Sequence, residues 1–131
     1  MRDARAVGCL IKASEDSNRY VRRNAAEAPG NIKDKRATKS LIRSLNDPDV
    51  DVRWNAAAAL GRLRDIRATD ALIEKLKDQD EFVRERAADA LGRVGNSRGV
   101  PALRAALSDE DVDVREAAKE ALERIATAPK K

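Results

Sequence analysis

The sequence contains no histidine, which removes a His-based catalytic triad, a His-containing zinc site and the facial triad that holds non-haem iron. Its one cysteine, Cys9, allows no internal disulfide; beside Leu10 on an apolar stripe it reads as a small buried thiol. No apolar run approaches the roughly 18 residues that a membrane span needs. No charged segment followed by an apolar one opens the chain either, and together these predict a soluble, cytoplasmic protein without membrane contact. Neither G-x-x-x-x-G-K-[ST] nor G-x-G-x-x-G occurs, so no phosphate-cradling loop is expected. Aromatic residues make up only 2% of the chain, so burial must come from Ala, Leu, Ile and Val, an all-helical balance. Charge is abundant instead, at 38% of residues and a net +4, and unevenly spread. Residues 1–64 carry 14 Lys/Arg against 8 Asp/Glu, and residues 65–131 carry 13 against 15.

What the chain does have is repetition. Residues 3–33, 34–64, 65–95 and 96–126 align without a gap as four blocks of 31, followed by a tail at 127–131. One column reads Arg5, Arg36, Arg67, Arg98 and another Leu10, Leu41, Leu72, Leu103. Asp16, Asp47, Asp78 and Asp109 form a third; Val21, Val52, Val83 and Val114 a fourth; Arg22, Arg53, Arg84 and Arg115 follow directly. A fixed period in this range is the mark of a solenoid built by stacking one supersecondary unit.

Each block reads as a helical hairpin. Leu41, Ile42 and Leu45 give helix A one apolar face. Asn46-Asp47-Pro48-Asp49 stops it, and Asp49, like Asn18, Asp80 and Asp111, is placed to cap the next helix. Val52, Ala56, Ala59, Leu60 and Leu63 then form the stripe of helix B, which ends near Arg64. The expected helices are about 12 residues long, or about 18 Å. Small residues in register (Ala25, Ala56, Ala87, Ala118, with Gly30, Gly61 and Gly92 further along) leave helix B a low face for close approach by its neighbour. At the C-terminal end Lys119 and Glu123 replace apolar or small residues and read as a solubilising cap. At the N-terminal end Ser14 and Pro29 break the pattern, and Val7, Cys9, Leu10 and Ile11 have no layer above them. That end is expected to self-associate or to continue into further repeats.

The pattern D-x-R-A-x-x-x-L-I-x-x-L-x-D-x-D-x-x-V-R-x-x-A-A-x-A-L-G-x-V resembles the short HEAT-like repeats of the type found in phycobilin lyase subunits, over residues 3–126. The resemblance implies an all-α fold, an α-solenoid of four stacked hairpins in a HEAT-like or armadillo-like superhelix. It also implies that helix A lines the convex face and helix B the concave one, and that the chain serves as a scaffold. The metal-holding His-Glu pairs of the iron-dependent hydroxylases with related repeats have no counterpart here.

Two sets of residues are candidates for more than packing. Asp16 with Arg22, Asp47 with Arg53, Asp78 with Arg84 and Asp109 with Arg115 are each six apart. The Asp precedes helix B and the Arg points back from its first turns, so the pairs predict a ladder that pins the turn within a repeat or between neighbours. The three aromatics, Tyr20, Trp54 and Phe82, all fall in helix B, in columns three apart where the blocks differ most. With Arg23, Asn24, Asn55 and Arg86 they outline a partner-binding surface rich in the residue types of interface hot spots. A protein-binding scaffold with no catalytic residue, metal or cofactor is the leading expectation. The alternatives are a phycobilin-lyase-like or chaperone-type subunit acting on a chromophore protein, as the resemblance implies, and nucleic-acid binding. The last would use Arg19, Arg22, Arg23, Arg53, Arg62 and Arg64 with stacking on Tyr20 and Trp54, although Asp47, Asp49 and Asp51 lie among them.

Overall fold

A computed structural model describes residues 12–13, 15–27 and 35–127. The expectations for Val7, Cys9, Leu10, Ile11, Ser14, Pro29 and Gly30 lie outside these residues. Among the described residues, seven α-helices and three 3-10 turns with defined bounds follow one another and no strand occurs. In chain order the helices are α1 (Arg19–Glu27), α2 (Thr38–Ser44), α3 (Val50–Leu63), α4 (Thr69–Lys75), α5 (Glu81–Val94), α6 (Val100–Ala106) and α7 (Val112–Thr127). The short helices begin at Thr38, Thr69 and Val100 and the long ones at Val50, Glu81 and Val112, offsets of 31 residues in every case. No described helix is long and apolar enough to cross a membrane.

The hairpin is less symmetrical than the 12-residue expectation. Helix A has only 7 residues, and a 3-10 turn precedes it at Lys35–Ala37, Ile66–Ala68 or Ser97–Gly99, whereas helix B has 14 to 16 in the last three blocks. The Asp-x-Arg and Asn-x-Arg sequences explain the extra turn. Asp65 and Asn96 cap it, each side chain accepting a bond at 3.0 Å from the backbone N–H two residues on. Helix B starts where its caps predict: Asn18, Asp49, Asp80 and Asp111 each accept from the backbone N–H two residues on, at 2.8 to 2.9 Å. It ends in a left-handed residue, Arg64 after α3 and Gly95 after α5, whose N–H bonds back to the carbonyl of Leu60 or Leu91.

Each helix A rests on its own helix B, and each helix B packs between those before and after it. The stripes meet in one continuous layered core in which Leu41, Leu72, Leu103, Val52, Leu60 and Leu91 are fully buried, and Val83 and Val114 are fully buried as well. Burial of one such side chain contributes about 2 kcal/mol. The small column sets the spacing of the long helices: a Cβ built on Gly61 would lie 3.0 Å from the Cα of Ala90, and one on Gly92 2.7 Å from the Cα of Ala121. Successive A helices stand further apart, joined through the 3-10 turn of the next block, with an apolar cleft of about 340 Å³ between α4 and α6. Lys119 and Glu123 are exposed on the face where Ala57, Ala88, Gly61 and Gly92 are buried in the other blocks.

The Asp and Arg columns do form a ladder, but the pairing differs from the six-residue reading. The carboxylate that each arginine takes belongs to the next block. Arg22 Nε donates to Asp47 at 2.7 Å, Arg53 Nε to Asp78 at 3.1 Å and Arg84 Nε to Asp109 at 3.1 Å. Within its own block the guanidinium donates through Nη1 to the backbone carbonyl of the aspartate column: Arg22 to Asp16 at 3.0 Å, Arg53 to Asp47 at 2.8 Å, Arg84 to Asp78 at 2.9 Å and Arg115 to Asp109 at 2.7 Å. The reason is that each aspartate is already turned onto its own loop, accepting from the N–H two residues on at 2.8 to 3.0 Å. Its outer face is left toward the preceding layer. A second seam runs beside the first, with Thr38 Oγ1 donating to Asp65 at 2.9 Å and Asn96 Nδ2 to Thr69 Oγ1 at 3.3 Å.

Candidate interaction surface

Side chains that the layered core does not use emerge along the row of long helices. Helical spacing brings positions i, i+3, i+4 and i+7 to one face, which makes Asp51, Trp54, Asn55 and Ala58 the outward set of α3. Phe82, Glu85, Arg86 and Asp89 are that of α5, and Asp113, Glu116, Ala117 and Glu120 that of α7. Tyr20, Arg23 and Asn24 are their counterparts on α1.

Between α3 and α5 the face opens into a cleft of about 190 Å³ lined by Val50, Asp51, Trp54, Asp80 and Phe82. Phe82 is 55% exposed there, while Trp54 is half-buried. The guanidinium carbon of Arg86 lies 4.6 Å from the centre of the Trp54 ring. Its Nε is buried without a hydrogen-bond partner, so the indole face stands in for the missing acceptor. The structure thus brings Trp54, Phe82 and Arg86 together. Tyr20 stands apart in the preceding layer, 54% exposed, with the guanidinium carbons of Arg19 and Arg23 at 5.0 and 5.5 Å from its ring centre. That cleft, about 310 Å³, is completed by Asp49, Val50 and Asp51. Asn24 is exposed, and Asn55 donates its amide to the Asp51 carbonyl of its own helix at 2.9 Å, which leaves less of it for a partner.

The basic cluster of the first two blocks is largely engaged from within. Arg22 and Arg53 belong to the ladder, and Arg19 and Arg23 lie 3.9 and 3.8 Å from Asp49 and Asp51. At the other end of the face is an acidic cleft of about 170 Å³ that the sequence reading missed, lined by Glu85, Arg86, Asp89, Asp113, Glu116, Ala117 and Glu120. Burial pushes the Glu85 carboxyl above its ordinary range, and Asp113, Asp111 and Asp89 push the same way against the pull of Arg86. Its sequence signal is plain in retrospect. In the fourth block three of these outward positions, 113, 116 and 120, are acidic. Among the described residues no group of three His, Cys, Asp or Glu gathers closely enough to hold a metal ion.

Comparison with known proteins agrees with this architecture. The HEAT repeats profile matches residues 7–91 and again 69–131. In the solved complex of CpcE and CpcF of phycocyanin lyase from Nostoc sp. PCC7120, a chain 30% identical aligns with 96% of this one at a TM-score of 0.85, over 55% of its own length. Human deoxyhypusine hydroxylase, solved with glycerol, is 27% identical over 93% of this chain and 44% of its own, at a TM-score of 0.82. This chain therefore spans about half the length of each. A designed armadillo repeat protein, 22% identical over 94% of this chain and 65% of its own, shares the fold at a TM-score of 0.72. No protein of curated function matches by sequence.

Proposed function

We propose, for a chain that belongs to the HEAT repeat family, that it is a scaffold which holds a partner protein against the outward face of its long helices. The observation that carries this reading is the Trp54–Phe82 cleft, where two of the chain's three aromatic rings gather and one is more than half exposed. A fold that fully buries Leu41, Leu60, Leu72, Leu91 and Leu103 gains little from leaving Phe82 in water, whereas rings of this kind anchor protein interfaces. The test compares capture by the wild-type protein, Phe82→Ala and Ile66→Ala, since Ile66 is 65% exposed on the 3-10 turn before α4 and outside this face. A partner held by the face should lose at least about tenfold in affinity with Phe82→Ala, about 1.4 kcal/mol, and nothing with Ile66→Ala. The opposite pattern would move the binding surface to the short helices.

The likeness to a chain of the CpcE–CpcF complex supports a second reading, a subunit that works beside another repeat protein on a chromophore-bearing protein. No residue of this chain is assigned to lyase chemistry. Co-expression with a candidate repeat partner, followed by assay of bilin attachment with and without this chain, separates an accessory subunit from a free-standing scaffold.

A further inference from the structure

The Trp54–Phe82 cleft adjoins the acidic cleft on the next layer, and the two differ in what they ask of an occupant. The first is lined by Val50, Trp54 and Phe82 together with Asp51 and Asp80, and both carboxylates are engaged within the fold, Asp51 3.8 Å from Arg23 and Asp80 as the cap of α5. On the second, Asp89 is paired with Arg93 at 3.0 Å, while Glu85, Asp113, Glu116 and Glu120 form no ion pair among the described residues. Asp113 with Glu116 and Glu116 with Glu120 stand three and four apart on α7, spacings at which like charges repel across a helix surface. Nothing in the fold requires that arrangement, since Val114, Ala118 and Ala121 make the buried contacts of the helix. The Tyr20 cleft contrasts with it, because there each arginine has an aspartate nearby. The face therefore carries net negative charge at one end only.

Resting on the protein-binding reading of this same face, we infer that the two clefts together receive an extended protein segment with an apolar side chain and, three residues away, a lysine or arginine. Charge complementarity selects the cation, and its side chain enters among Glu85, Asp113, Glu116 and Glu120 while the apolar side chain covers Phe82 and the edge of Trp54. The spacing follows from geometry. Adjacent packed helices lie about 10 Å apart, and a segment in the polyproline II form advances about 3.1 Å per residue with three residues per turn, so side chains three apart point the same way and fall about one layer apart. Burial disfavours the Glu85 carboxylate, and a cation entering beside it favours the same charged form.

Trp54 is the chain's only tryptophan, so its indole N–H gives a single resonance that reports even weak binding. Synthetic nine-residue peptides of Gly and Ser carrying Leu and Lys three apart, or Leu and Glu three apart, are titrated into the 15N-labelled protein. The Leu/Lys peptide should shift the Trp54 indole and the amides of Glu116 and Glu120, bind at least about tenfold more tightly than the Leu/Glu peptide, and weaken as salt is raised. The double variant Glu116→Lys with Glu120→Lys, both exposed positions, should invert that preference. Equal shifts by both peptides would overturn the charge assignment while leaving an apolar docking face. Absence of any shift at Trp54 overturns the inference as a whole, and the Phe82→Ala comparison above then decides the broader reading by itself.

Discussion

Arg64 closes α3 at a φ of 54°, in the position that Gly95 holds at 77° after α5. The left-handed region costs a residue with a Cβ about 1 kcal/mol more than glycine. Arg64→Gly should accordingly raise the unfolding free energy by about 1 kcal/mol in a denaturant titration, and Gly95→Ala should lower it by a similar amount. Next along, Asp65 is buried and held well below the usual carboxylate range. The Arg67 guanidinium is the main cause, with help from the Arg67 backbone N–H and Thr38 against the opposing effect of burial. A lowered folded-state value means that its stabilisation is fully present above the unfolded value near pH 4 and disappears as pH falls through the folded one. Asp65→Asn keeps the cap, as Asn96 shows at the equivalent site, and loses the charge-assisted bonds. It should cost about 1.5 to 3 kcal/mol at pH 7, with the gap to wild type narrowing as thermal melts are repeated from pH 5 downward.

At the scale of the helix, Gly92 leaves less room against the next long helix than Gly61 does. Alanine is worth about 1 kcal/mol more than glycine inside a helix, but here its Cβ would meet backbone of α7 at 2.7 Å, an atom that only a shift of the whole helix can relieve. Gly92→Ala should therefore destabilise by about 1 to 3 kcal/mol, and Gly61→Ala by less, since its closest atom is at 3.0 Å; melting the two variants side by side checks the order. The elements themselves were legible in the sequence because each boundary has a local cause: Asp49, Asp80 and Asp111 at the starts, the Pro48 turn, the 31-residue register of Val52, Val83 and Val114. The short helix A was not, because Asp65 and Asn96 mark the start of a 3-10 turn with the same Asx signal that marks an α-helix. The surface was half legible. Rings are conspicuous when there are only three, whereas Glu85, Asp113, Glu116 and Glu120 disappear among the chain's other charges until the layers set them side by side.

For the molecule as a whole, what joins one layer to the next is a question about which aspartate each arginine holds. Sequence spacing favours the partner six residues back, and the folded chain selects the one 25 residues ahead. Arg84→Ala should destabilise by about 1 to 3 kcal/mol by orphaning Asp109 and not Asp78, which keeps Arg53. Double-mutant cycles distinguish the two: Arg84→Ala with Asp109→Asn should show a coupling of at least about 0.5 kcal/mol, and Arg84→Ala with Asp78→Asn should be additive to within about that amount. The direction of the rung has an evolutionary consequence. A block such as 65–95 brings the aspartate that the block before it needs and the arginine that the block after it needs, so a tandem copy inserted in register arrives with both of its joints already made. A gene encoding this chain can lengthen or shorten by 31 codons without inventing a new contact, and drift is then free to act on the few outward positions where the copies differ.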